Sequence, residues 1–233
     1  MALSELVKEG ARFYEGFAKS FLTILISEIG DKTFFIAAVM AMRNPRTTVF
    51  VGALGALAVM TALSAALGWA APNLISKTYT HYAATALFFF FGLRSLYDAF
   101  IKANDGEESE LAAVEAELSD HGKSRPAKDS KDSSMVTRML SLVFSQIFLK
   151  SFTLTFLAEW GDRSQIATIG LAASEDPVGV TLGGILGHAV CTGAAVLGGR
   201  HLATHINEKG VQICGGLLFL AFGAHSLYTG PEA

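Results

Sequence analysis

The sequence predicts an all-α polytopic membrane protein with six transmembrane helices arranged as two inverted three-helix repeats. Three observations carry this. Hydrophobic residues make up 51% of the 233 residues, and they gather in runs close to the ~20 residues a helix needs to cross a bilayer. Glu28-Ile29-Gly30-Asp31-Lys32-Thr33 recurs as Glu159-Trp160-Gly161-Asp162-Arg163-Ser164, 131 residues later, each copy in the middle of an apolar run. A charged stretch separates the first three runs from the last three.

Residues 1–16 form an N-terminal segment in which Glu5, Lys8, Glu9, Arg12 and Glu15 leave no uninterrupted apolar core, unlike a cleavable signal. Residues 17–101 form the first transmembrane repeat. Its first run, 17–42, is interrupted by Lys19 and by the Glu-Asp-Lys cluster, and ends at Arg43-Asn44-Pro45-Arg46, where Pro disfavours helix at Asn44. The second run, 47–71, is uncharged and rich in small residues from Gly52 to Gly68, which suits close helix packing. The third, 79–101, carries Phe88 to Phe91 and then Arg94, near enough to the helix end to snorkel.

Residues 102–138 form a charged linker. Seven acids and no base fall between Asp105 and Asp120, while Leu111, Val114 and Leu118 have the spacing of a short amphipathic helix. A solvated linker is the plain reading, a cation-sensing or regulatory segment the sharper one. The second repeat, 139–229, opens with a run to 173 that is longer than a bilayer needs, so it either starts along the interface or tilts. Ser174-Glu175-Asp176-Pro177 breaks it and resembles a helix start. Runs at 178–199 and 210–229 complete the six, and 230–233 is a C-terminal tail. Cys191 and Cys214 lie in apolar runs as small hydrophobes, with no disulfide or thiolate metal pattern. A net charge of −3 gives no reason to expect a nucleic-acid partner.

The offset of 131 holds without gaps. Phe17 maps onto Phe148, Ser20 onto Ser151, Gly52 onto Gly183, Gly68 onto Gly199, and Gly92 and Ser95 onto Gly223 and Ser226. Three spans per unit is an odd number and the linker has no span, so the second unit enters upside down. Inverted repeats are the architecture in which secondary transporters place a substrate site at the midplane. Lys and Arg outside the spans divide four against ten in favour of the side holding the linker. That places the linker in the cytosol and both termini on the lumenal or external side.

Six charged groups at mid-span represent roughly 15 to 20 kcal/mol of insertion cost before pairing. Such a cost asks for a functional return, by default an ion or proton pathway. On a helix, Glu28 and Asp31 share a face, as do Glu159 and Asp162. Where the two helices cross, four carboxylates converge, and oxygen ligands suit hard divalent cations such as calcium and manganese. Lys32 and Arg163 reduce the formal charge of the four acids to −2, which one divalent cation or two protons would neutralise. Exclusive occupancy by cation or protons is the basis of exchange. Thr33, Ser164 and Gln165 are candidate supporting oxygens, and Gly30 and Gly161 positions of close packing or bending. The plainer alternative pairs Glu28 with Lys32 and Glu159 with Arg163, one turn apart. Of the six histidines, His188 and His225 lie within runs and read as packing or hydrogen-bonded residues.

Both copies fit Glu-x-Gly-Asp-(Lys/Arg)-(Ser/Thr). With Lys32 to Ala38 and Leu154 to Gln165 around them, the chain resembles the Gdt-type manganese/calcium:proton antiporters of Golgi, chloroplast and bacterial membranes, across all six spans. The resemblance implies manganese and calcium as transported ions, with no cofactor and no enzymatic activity, and roles for the four motif acids like those above. The charged linker and the Ala-Met-Arg stop after the first run look Golgi-type, which implies a Golgi membrane, with a chloroplast or bacterial plasma membrane as alternatives. The rival classes are a cation or proton channel using the same acids, an intramembrane aspartyl protease, whose Gly-x-Gly-Asp is broken here by Glu28 and Glu159, and a cation sensor. Ion preference, stoichiometry and oligomeric state stay open.

Overall fold

The computed structural model describes residues 2–74, 76–101, 110–123 and 145–231. Most of the charged linker, the first residues of the fourth run and the last two of the tail lie outside the described residues. All the described elements are helical: α1 (Ala2–Glu28), α2 (Lys32–Arg43), α3 (Arg46–Leu74), α4 (Lys77–Phe100), α5 (Glu110–Lys123), α6 (Gln146–Ala158), α7 (Arg163–Ser174), α8 (Pro177–His205) and α9 (Glu208–Thr229). Among the described residues, three helices are long and apolar enough to cross a membrane, over Arg46–Pro72, Pro177–Gly199 and Lys209–Thr229. Among the described residues the chain is all-helical, with the apolar helices of a membrane protein.

The first and fourth runs differ from expectation. Each is two helices and not one, broken within the motif, because Gly30 and Gly161 take φ of 79° and 81°. Positive φ is open to glycine and ends an α-helix. Other boundaries follow local chemistry. Asn44, held extended before Pro45, closes α2. Asp176 caps α8 by accepting from the Gly179 amide at 2.7 Å, with Pro177 as the first helical residue. Gly199, with φ 49°, kinks α8 where the fifth run was expected to end.

The two halves pack by exchanging partners. α1 lies on α8 and α3 on α6. A Cβ on Gly183 would stand 2.2 Å from the Phe17 carbonyl oxygen, and one on Gly52 would stand 2.8 Å from that of Phe148. These are one contact and its copy at offset 131. The α4–α9 pair repeats the pattern. Gly92 meets Leu220 and Gly223 meets Phe89. Ser95 donates to the Gln212 carbonyl at 2.9 Å, and His81 Nε2 stands 3.0 Å from the Ser226 carbonyl. Small residues do here what they do in membranes generally: with no solvent to drive helices together, close backbone approach supplies the attraction.

The pairing around α1 and α3 encloses the short helices. α2 has no polar face, and Phe34 to Ala41 are all buried against Val49, Ala53, Ala195 and Val196. α5 closes over it. Val114 is buried in the same cluster, Leu111 and Leu118 pack beside it, and Lys32 Nζ bridges Glu117 Oε2 at 2.8 Å. The amphipathic spacing thus does form a helix, and it docks on α2 where a solvated linker was the plain expectation. α7 is held between α3, α4 and α1, where Leu171 and Ala172 join Phe88 and Phe219.

Candidate functional site

The two breaks create the site. In each, a turn closes from the acid that ends one helix to the acid that begins the next: the Asp31 amide donates to the Glu28 carbonyl at 3.2 Å, and Asp162 to Glu159 at 3.1 Å. Glycine at the third position of such a turn supplies the positive φ it requires. Glu28 ends α1 and Glu159 is the C-cap of α6, while Asp31 and Asp162 are the N-caps of α2 and α7. The expectation that the acids of one motif share a helical face is therefore wrong. The glycine turn puts the two acids of a motif on different helix ends; in the second motif Glu159 and Asp162 still meet, whereas in the first Asp31 lies outside the group that Glu28 joins.

Glu28 and Glu159 are both 2% exposed. Carboxylate oxygens of Glu28, Glu159 and Asp162 lie within 4.8 Å of one another. At that separation an ionised pair repels by about 3.5 kcal/mol with an effective dielectric near 20, so this cluster calls for positive charge or protons between its members. The hydroxyl of Thr33 donates to Glu28 Oε2 at 3.2 Å, and that of Ser164 donates to Glu159 Oε1, the same five-residue reach in both copies. Each glutamate keeps one buried oxygen, Oε1 of Glu28 and Oε2 of Glu159, with no hydrogen-bond partner among the described residues. Orphaned buried carboxylate oxygens are costly, and an ion, a proton or an ordered water would satisfy them.

The remaining candidates are placed less symmetrically. Asp31 is not one of the three acids that meet within 4.8 Å, and it accepts from Arg163 at 3.3 Å, a bond between the two motifs. The same guanidinium reaches the Ser27 carbonyl, also at 3.3 Å. Lys32 does not balance the acids, since its ammonium turns outward to Glu117. Gln165 does not reach them either: its Oε1 accepts from the Gly161 amide at 2.8 Å and steadies the turn. Neither pairing one turn apart, Glu28 with Lys32 or Glu159 with Arg163, is the one these cations make. A residue read from the sequence as packing belongs here instead. His188, buried on α8, places Nδ1 3.8 Å from Glu28 Oε2. Its signal was present, an ionisable side chain in a span otherwise free of charge.

The Gly161 turn is separately testable. Its Cβ would meet nothing within 4 Å, whereas one on Gly30 would strike Ile206 at 2.9 Å. Gly161→Ala then carries only the backbone cost of left-handed φ, about 1 to 2 kcal/mol, and Gly30→Ala costs more. Thermal unfolding in detergent should rank wild type above Gly161→Ala above Gly30→Ala; equal midpoints would mean the turns relax.

A cavity of about 300 Å³ lies elsewhere, lined by Lys19, His81, Phe88, Glu175 and His225 among others. Lys19 Nζ spans it to Glu175 Oε1 at 2.6 Å, roughly 13 Å along α1 from Glu28.

Comparison with known proteins gives a consistent result. The family model described as divalent cation/proton antiporter GDT1 matches residues 16–103 and 147–233. GDT1-like protein 5 of Arabidopsis thaliana is 54% identical over 226 residues, covering 94% of this chain and 98% of that protein. GDT1-like protein 5 of Oryza sativa subsp. japonica is 54% identical over 225 residues (93% and 96% covered), and GDT1-like protein 4 of Arabidopsis thaliana 53% over 226 (94% and 98%). No solved structure matches the chain.

Proposed function

Because the chain belongs to the GDT1 family of divalent cation/proton antiporters, we propose that it exchanges manganese or calcium for protons through the carboxylates of its two motifs. The observation that carries this reading is the meeting of Glu28, from the first motif, with Glu159 and Asp162, from the second, inside 4.8 Å. Hard divalent cations take such oxygen ligands. The buried oxygens that lack partners are the positions that a cation or protons would fill in turn.

With Lys32 directed to Glu117 and Arg163 to Asp31, the charge count changes. Asp31 and Arg163 neutralise one another, and Glu28, Glu159 and Asp162 carry the transported charge. One divalent cation with one proton, or protons alone, would balance them. Asp31 thus acts as the anchor of Arg163 and less as a ligand. The broken helices contribute as well: the N-termini of α2 and α7 favour negative charge at Asp31 and Asp162, while carbonyls at the ends of α1 and α6 are oxygens a cation can use.

The six-span, inverted arrangement of 17–101 and 139–229 rests on the duplication and the odd span count. The reciprocal contacts of Gly183 with Phe17 and Gly52 with Phe148 are what a two-fold relation between the halves requires. In this arrangement both motifs lie at one depth and alternating access is the rocking of one repeat on the other. The positive-inside count places the linker in the cytosol. In a Golgi membrane an acidic lumen would drive cation inward as protons leave.

The test is transport by purified protein in vesicles with an imposed pH gradient. Manganese or calcium should accumulate against its own gradient while protons leave, and collapsing the pH gradient should stop accumulation. Uptake indifferent to the gradient would establish a channel instead.

A further inference from the structure

We infer that His188 is a specificity-determining ligand of the transported cation, its ring nitrogen favouring transition-series divalent ions such as manganese over calcium. The inference rests on the carboxylate reading above and deepens it.

α8 brings His188 to the site by small-residue packing on α1. A Cβ on Gly184 would stand 2.9 Å from Thr61 Cγ2 and 3.1 Å from Ser20 Oγ, and one on Gly187 would stand 3.0 Å from Ile24 Cβ. With no side chains on that face, α8 lies against α1 closely enough for the next residue, His188, to reach the end of α1 at Glu28. One turn further on, the Cys191 thiol reaches the Leu25 carbonyl at 3.7 Å, which fixes the same face toward α1. His188 is 3% exposed. Its Nδ1 has no hydrogen-bond partner among the described residues and stands 3.8 Å from Glu28 Oε2, too far for a hydrogen bond.

That separation suits two ligands of one ion. With bonds of about 2.1 Å, neighbouring ligands of an octahedral shell are roughly 3 Å apart and opposite ligands roughly 4.2 Å. A packing histidine has no reason to leave a buried nitrogen unpartnered beside a buried carboxylate oxygen. The repeat points the same way: the equivalent of His188 in the first half is Leu57, so nitrogen enters from one half only, against oxygen from both. Calcium and manganese both suit carboxylate, but calcium sites are built of oxygen alone, whereas manganese, a first-row transition ion, accepts an imidazole beside the carboxylates. A single imidazole among carboxylates therefore biases the site without excluding calcium.

The experiment uses the full chain in vesicles and in detergent, with manganese and calcium chlorides as probes. His188→Gln should shift the ratio of manganese to calcium transport toward calcium by roughly tenfold or more. Pulsed electron paramagnetic resonance of Mn²⁺ bound to the wild-type protein should show coupling to a ring nitrogen, a readout that needs no variant to fold and that a purely structural histidine would not produce. Bound manganese with only oxygen around it, or an unchanged ratio in His188→Gln, overturns the inference and leaves carboxylate exchange standing. Failure of the wild type to bind or transport either ion removes the carboxylate reading itself, and the inference with it.

Discussion

Glu28→Gln and Glu159→Gln should each reduce cation/proton exchange by about two orders of magnitude or more, while raising or preserving thermal stability. The two halves of that expectation have one cause. Both side chains are buried, and each has an oxygen without a partner among the described residues, so the carboxylates are held at a cost that the fold does not recover. Glutamine keeps the shape, removes a like charge from a cluster within 4.8 Å, and removes the anionic ligand. Sites kept for function at the expense of stability respond in this way. Even outer-shell changes at metal sites cost about 10- to 100-fold, so loss of an anionic ligand should cost at least that. Vesicle transport together with unfolding midpoints in detergent checks both halves. A variant that unfolds more easily, or exchanges normally, would place the glutamates in the scaffold.

The second large effect concerns packing. Gly183→Ala should destabilise the protein by about 3 kcal/mol or more, because the new methyl would lie 2.2 Å from the Phe17 carbonyl oxygen, which is backbone and cannot turn aside. α1 must then back away from α8, carrying Glu28 with it, so exchange should fall as well. Gly193→Ala, on the same helix, is the control: its Cβ would meet only the Phe50 ring at 3.7 Å, and the gain in helix propensity is about 1 kcal/mol. The unfolding midpoint should drop sharply for Gly183→Ala and hold or rise for Gly193→Ala. Similar behaviour of the pair would mean that the close approach at Gly183 is not what joins the halves.

Much of this architecture was legible in the residues. Apolar runs showed where helices lie, Pro45 and Asp176-Pro177 showed where they stop and start, and the spacing of Leu111, Val114 and Leu118 showed α5. The glycines of both motifs were visible as bending positions, yet a helix through the motif was the natural reading, since the apolar run continues on either side. Glycine permits positive φ without demanding it, and the surrounding packing made the choice. The shared face of Glu28 and Asp31 was lost with that helix, as was the role of Lys32, whose partner Glu117 sits on a segment with no fixed place in the sequence pattern.

By itself the sequence marked out the acids from which the proposed exchange is built and showed that there are two sets of them. The repeat at 131 residues, the acid-glycine-acid order and the burial of charge in apolar runs are properties of the chain alone. Only the tertiary structure decided how the groups are shared out: Glu28 with the acids of the other motif, Asp31 with Arg163, Lys32 with Glu117, and His188 beside Glu28. The reason is physical. Sequence spacing specifies neighbours along one helix, whereas these partners meet across helices whose distance is set by glycines at Gly183, Gly184 and Gly187, and whose direction is set by two residues of positive φ.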